Sequence, residues 1–137
     1  MRLIDEVLAY DPTGATIACR ALPKADSIFA SEGKVPAVLA LEYMAQTVAA
    51  YVTLHRLTQA SASSGEVKPR IGFIIGARKL RFHVSDFEPG APLTVVAHMT
   101  WRDEATASFD CAVHLEEQTV ASTQLMVYEP PEPAEHS

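Results

Sequence analysis

Glu42 and Gln46 stand four residues apart in a stretch that is otherwise nearly all apolar, running from Val35 through Pro36-Ala37-Val38-Leu39-Ala40-Leu41 and on to Leu54. On a helix that spacing puts both side chains on one face. A carboxylate set in an apolar wall needs a partner or takes up a proton, because desolvation disfavours its charge. Such a group can pass a proton to or from a substrate. Spacing alone leaves a plainer reading open, in which Glu42 and Gln46 lie on a wet stripe of the helix.

Histidines are the other groups suited to proton transfer near neutral pH. None lies between Met1 and Thr53. His98 and His114 fall on the outward parity of strand-like runs, and His136 lies in the tail. His55, near the end of the apolar helix, suits the helix C-terminal dipole as a cation. His83, at the end of a strand-like run, is left as the reserve base.

The elements that must position these groups are legible. Pro36 fits a first helical turn, which has no intrahelical use for the missing N–H. Apolar residues nearly surround the helix that follows, so it is expected to be buried. Leu3 to Ala9 reads as a first strand, closed by the turn signal Asp11-Pro12-Thr13-Gly14. Ala15, Ile17, Cys19 and Ala21 share one parity, with Thr16 and Arg20 on the other, at the period of a half-buried strand. Pro23 to Lys34 reads as a loop into the helix, and Thr58 to Lys68 as a loop after it. Arg70 to Phe82 is a long strand, bent near Gly72 and Gly76. Three further strands alternate apolar residues at Leu93 to Trp101, Phe109 to Leu115, and Ala121 to Val127. One helix among so many strands predicts an α+β domain, an antiparallel sheet curled around the helix.

The 137 residues, 48% hydrophobic, suit a single domain over residues 1–128, with a disordered Pro-rich tail over 129–137. No stretch reads as long and apolar enough to span a bilayer, and no leader segment is read at the start. Cys19 and Cys111 sit in strand-like runs and read as reduced packing residues, which points to the cytoplasm. A net charge of −6 argues against a general nucleic-acid binder. No metal site is expected from two isolated cysteines and scattered histidines.

Pro36-Ala37-Val38-Leu39-Ala40-Leu41-Glu42-Tyr43-Met44-Ala45-Gln46 resembles the P-G-V-L-x-x-E-x-M-A-Q helix start of the FabA/FabZ-type 3-hydroxyacyl-carrier-protein dehydratases. Leu3-Ile4-Asp5-Glu6-Val7-Leu8 resembles their first strand. Ile71 to Phe82 resembles their third strand, and Phe87-Glu88-Pro89-Gly90-Ala91-Pro92-Leu93 the turn after it. The wording around Gly33 to Gln46 is similar above all to the ApeP-like branch, found in aryl-polyene biosynthesis clusters. The resemblance implies a hotdog fold whose protomers pair into one sheet, with substrate tunnels at the interface.

It also implies a chemistry. A histidine removes the proton alpha to a thioester carbonyl, a carboxylate from the other protomer's helix handles the leaving β-hydroxyl, and an amide at the helix N-terminus polarises the thioester oxygen. Carried onto this chain, Glu42 takes the carboxylate position, Gln46 orients it, and Ala37 offers the backbone N–H. The family histidine has no counterpart before the helix, so His83, or a partner chain, is expected to supply the base. Val38, Phe73 and Gly76 fall where substrate is expected, and Arg78 and Lys79 would form a basic rim that draws in acidic acyl carrier protein. The substrate would ride on the carrier's phosphopantetheine, with no other cofactor. The protein would form a homodimer, or a heterodimer with a second hotdog subunit. A hotdog thioesterase and a non-catalytic acyl-binding partner are the competing readings.

Overall fold

Residues 3–24, 30, 32–63 and 73–129 are described by the computed structural model. The chain runs β1 (Glu6–Asp11), β2 (Thr16–Ala21), β3 (Val35–Pro36), a 3-10 turn (Ala37–Leu39), α1 (Ala40–Ser63), β4 (Phe73–Phe82), β5 (Asp86–Phe87), β6 (Leu93–Arg102), β7 (Thr106–Leu115) and β8 (Gln118–Tyr128). Six strands form one antiparallel sheet in the order β1-β2-β6-β7-β8-β4, and β3 pairs with β5 apart from it. β6, β7 and β8 are a plain meander. β4 precedes them in sequence yet closes the far side of the sheet, so β1 and β4 are its two edges.

The inward parity is as the alternation predicts. Ile17, Cys19 and Ala21 of β2 are buried, with Leu93, Val95 and Ala97 of β6, Phe109, Cys111 and Val113 of β7, and Ala121, Leu125 and Val127 of β8. Both cysteines are buried and free, and burial pushes both thiols above their usual range, Cys111 to about 12. Trp101 breaks the pattern. A bulge between Met99 and Trp101 shifts the register, and the indole is exposed although its sequence parity points inward.

α1 lies on this apolar face, against β2, β6 and β7. Only one side of it is covered: Ala40, Tyr43, Met44, Thr47, Val48 and Tyr51 are buried, while Glu42, Ala49 and Thr53 are exposed. The expectation of a helix buried all round is therefore corrected. The sheet curls part of the way around α1 and leaves its other side open. By length and hydropathy alone, Ala37–Thr58 is long and apolar enough to cross a membrane, contrary to the sequence reading. Here it is the core helix of a curled sheet.

Other boundaries also move. Pro36 stays extended (φ −63°, ψ 140°) and pairs with Asp86, so the helical turns begin one residue later than expected. α1 runs on to Ser63 rather than stopping at Thr58, consistent with the helix-forming Gln59, Ala60 and Ala62. Gly76 falls at a bulge, as the glycine suggests. The second expected bend, at Gly72, lies outside the described residues. The Pro89-Gly90 turn closes with Ala91 N–H donating to the Glu88 carbonyl at 3.1 Å. Gly90 takes φ +82°, the positive φ a type II turn asks of its third residue. Glu129, expected to open the tail, is tied to the domain: its N–H donates to the Ala105 carbonyl at 2.7 Å. Residues 130–137 lie outside the described residues.

Candidate active site at the open side of the helix

The N-terminus of α1 is fixed by a short strand pair. Val35 and Pro36 pair with Phe87 and Asp86, and Ala37 N–H donates to the Ser85 carbonyl at 3.0 Å. The amide expected to polarise a thioester is thus already engaged within the chain. The same bond brings the His83-Val84-Ser85 segment alongside the first helical turn. His83 itself is exposed, and its backbone N–H donates to the Val120 carbonyl at 2.8 Å.

Glu42 lies in the first turn of α1 proper and is exposed in the single chain. Among the described residues it makes no hydrogen bond or ion pair. The expected apolar wall around it is absent here, because Glu42 projects from the uncovered side of the helix. Gln46 is engaged elsewhere. Its Oε1 accepts from Leu3 N–H at 2.7 Å and from Ile4 N–H at 3.2 Å, pinning the lead into β1 against the helix. No bond joins it to Glu42 among the described residues.

Along the same open side runs a cleft of about 130 Å³, lined by Ala45, Val48, Ala49, Val52, Thr53 and Arg56 of α1 with Ile74 of β4 and Val127 of β8. Glu42 stands one turn before Ala45, so the carboxylate marks the N-terminal end of an apolar trough. Val38, 61% exposed, flanks that end. The small side chains of Ala45 and Ala49 leave room between helix and edge strand.

β4 supplies the other expected contacts. Phe73 is its first residue, and Gly76 lies at the bulge beside Ile74. Nothing stands within 4 Å of where a Cβ at Gly76 would be. Arg78 and Lys79 are exposed, and Lys79 takes φ +55° in a second bulge, between Arg78 and Arg81. Thr123 Oγ1 donates to the Arg78 carbonyl at 2.9 Å and steadies that irregularity. Lys68 and Arg70, which precede these cations in the sequence, lie outside the described residues.

The family model described as ApeP-like, ApeP dehydratase, matches residues 1–137. The chain belongs to the ApeP-like family. No protein among the curated ones matches it. Among solved structures it is similar to the dehydratase heterocomplex ApeI:P from Xenorhabdus doucetiae, with TM-score 0.79 and 21% identity over 96% of this chain and 84% of that one. It is also similar to the E. coli PaaI protein of the phenylacetic acid degradation operon, with TM-score 0.68 and 10% identity over 92% and 79%. A putative thioesterase from Ralstonia eutropha matches at TM-score 0.67 and 14% identity over 89% and 82%. At these identities the likeness speaks for the fold, and the fold is the hotdog.

The distal end of the ApeP-like helix holds polar groups that sequence reasoning underrated. His55 stacks on Tyr51, with ring centres 5.8 Å apart and planes 11° from parallel. Burial, and then the nearby Arg102, hold its imidazole below the usual range, against an opposing pull from Glu129. It is thus biased toward neutrality, and not toward the cation expected at a helix C-terminus. Arg56 pairs with Glu129, both side chains largely buried. With Tyr51, Met99, Arg102 and Phe109 these residues line a small cavity of about 30 Å³, room for a water or two. Val52 and Arg56 line both this cavity and the open cleft. The available signal was Arg56 itself, a charge on an otherwise apolar stretch of helix. The remaining histidines have local bonds: His98 Nδ1 lies 3.1 Å from Thr16 Oγ1, and His114 Nδ1 lies 3.1 Å from Thr119 Oγ1.

Proposed function

We propose that this protein is one half of a dehydratase that removes water from a 3-hydroxyacyl thioester carried on the phosphopantetheine of an acyl carrier protein. A second hotdog subunit forms the other half and supplies the base. The observation that carries this reading is Glu42. The residue at the family's carboxylate position stands exposed and, among the described residues, unpartnered, one helical turn before the cleft that runs along the open side of α1.

A second subunit laid over the open side of α1 would cover that cleft. Covering a carboxyl with apolar surface favours its protonated form. Glu42 could then give its proton to the leaving β-hydroxyl while a histidine of the other subunit takes the proton alpha to the thioester. The electron pair left at the alpha carbon forms the new double bond as water departs. Polarisation of the thioester by Ala37 would require the Ser85 carbonyl to yield that amide to the substrate. The neighbouring ApeI:P structure is named as a dehydratase heterocomplex, which supports pairing of this kind. Exposed Lys79 of the expected basic rim would attract an acidic carrier by its charge, an effect that weakens with salt.

The test is co-expression with a second hotdog subunit carrying a histidine before its helix, followed by assay on a 3-hydroxyacyl carrier protein. Enoyl thioester is expected from the pair only, and Glu42→Gln should lower its formation by about 10²–10⁴-fold with the pair intact. His83→Ala should leave turnover unchanged. Dehydration by this chain alone would overturn the mixed-pair reading. Free acid as product would favour a thioesterase.

A further inference from the structure

We infer that edge strand β4 is charged so as to refuse a second copy of this chain and to accept an acidic strand edge. The inference rests on the mixed-pair reading and names how the pairing is chosen. β4 is an outer strand with apolar side chains open to solvent: Ile74, Ile75, Leu80 and Phe82 are each 38–59% exposed. An edge of this kind invites another strand. Its sequence, FIIGARKLRF, holds three bases, Arg78, Lys79 and Arg81, and no acid.

No register of this strand against its own copy can set a cation opposite an anion. Arg78 sits across from Gln124 and Arg81 across from Ser122, so both arginines share the outer face of the sheet, with the bulge at Lys79 and Leu80 between them. Like charges facing each other across an antiparallel ladder oppose pairing, and opposite charges favour it. Among the described residues none of the three cations has an acidic partner, so their charge is available to a neighbour.

The other edge of the sheet shows the contrast. β1 carries Glu6 and Asp11, but both are used inside the chain. Glu6 pairs with Arg20 at 3.2 Å, and Asp11 accepts from Thr13 N–H at 3.0 Å. That leaves β1 one carboxylate without a cationic partner among the described residues, Asp11 at its turn end, against three cations on β4, and growth of copies edge to edge is disfavoured. The occupant that fits β4 is a strand of a different chain with exposed acidic side chains.

The test needs no knowledge of the natural partner. Dissociation constants are measured by sedimentation for the native chain, for Arg78→Gln/Arg81→Gln, and for native chain mixed with Arg78→Glu/Arg81→Glu. The glutamine variant should self-associate roughly tenfold more tightly than the native chain, and the mixture should also be roughly tenfold tighter. Added salt should strengthen native self-association by screening the repulsion. Native self-association as tight as that of the glutamine variant overturns the inference, and so does growth of the native chain into larger assemblies. These outcomes concern assembly alone. Failure of the mixed pair to dehydrate its substrate would instead count against the proposed function.

Discussion

At its N-terminal end α1 leaves Glu42 exposed, as the 3-10 turn before it leaves Val38, beside an open cleft. About 21 Å farther along, at 1.5 Å rise per residue, Arg56 is closed into an ion pair beneath the sheet. The same helix thus carries an exposed carboxylate toward one end and a paired, largely buried charge toward the other, where Arg56 still borders the open cleft. The sheet decides which is which. Tyr51 packs edge-on against Tyr10 of β1 and Phe109 of β7, at 5.6 and 5.4 Å between ring centres. Near Glu42, Tyr43 packs against Phe87 of β5 at 6.3 Å between ring centres, and Gln46 holds the Leu3 and Ile4 amides. Groups that could do chemistry are therefore kept where the fold contributes least to burying them, and charge at the other end is tolerated because it is paired.

The contrast is broken most severely at the open end by Glu42→Gln, where turnover of the mixed pair should collapse while the urea midpoint of this chain stays within error. An exposed side chain without partners has little stability to lose. The closed end should behave in the opposite way. Arg56→Met strands the Glu129 carboxylate in a largely buried position, and a loss of roughly 3 kcal/mol is expected, the low end for a broken buried pair. Urea unfolding of the two variants side by side checks both statements.

Gln46→Ala sits between these extremes. It leaves the Leu3 and Ile4 amides without their acceptor, at a cost of about 1–3 kcal/mol. Faster hydrogen exchange at those two amides would show it. His55 should make the closed end sensitive to pH. Its folded imidazole binds a proton less readily than the unfolded one, whose ordinary value is 6.5. Above that value both states are neutral and the residue contributes no slope. As pH falls below it the unfolded chain takes up more protons and stability drops. His55→Gln should remove that part of the slope between about pH 7.5 and 5.5 in unfolding measured against the native chain. Tyr51→Phe should have the smallest effect. The hydroxyl is buried with no hydrogen-bond partner among the described residues, so its removal should change stability by no more than about 1 kcal/mol.

Much of the architecture could be read from alternation. Ile17-Cys19-Ala21 and Phe109-Cys111-Val113 report their buried faces directly, because side chains on a strand point alternately to opposite faces. Where a bulge adds a residue, parity inverts and the reading fails, as at Trp101. The two-residue strands β3 and β5 escaped notice, since elements that short have no period to detect. The trough, the engaged Ala37 amide and the recruitment of Gln46 by Leu3 and Ile4 were also invisible. Each depends on residues brought together from distant parts of the chain.

By itself the sequence determined the family, the order of strands and helix, and the carboxylate at position 42, because local pattern and motif spacing are properties of neighbours along the chain. The tertiary structure alone decided that Glu42 faces an open side rather than a sealed core, that β4 crosses to the sheet's far edge with its cations bare, and that His55 is held toward neutrality. These follow from how far a six-stranded sheet curls around one helix, a quantity set by packing across the whole domain and by no single stretch of it.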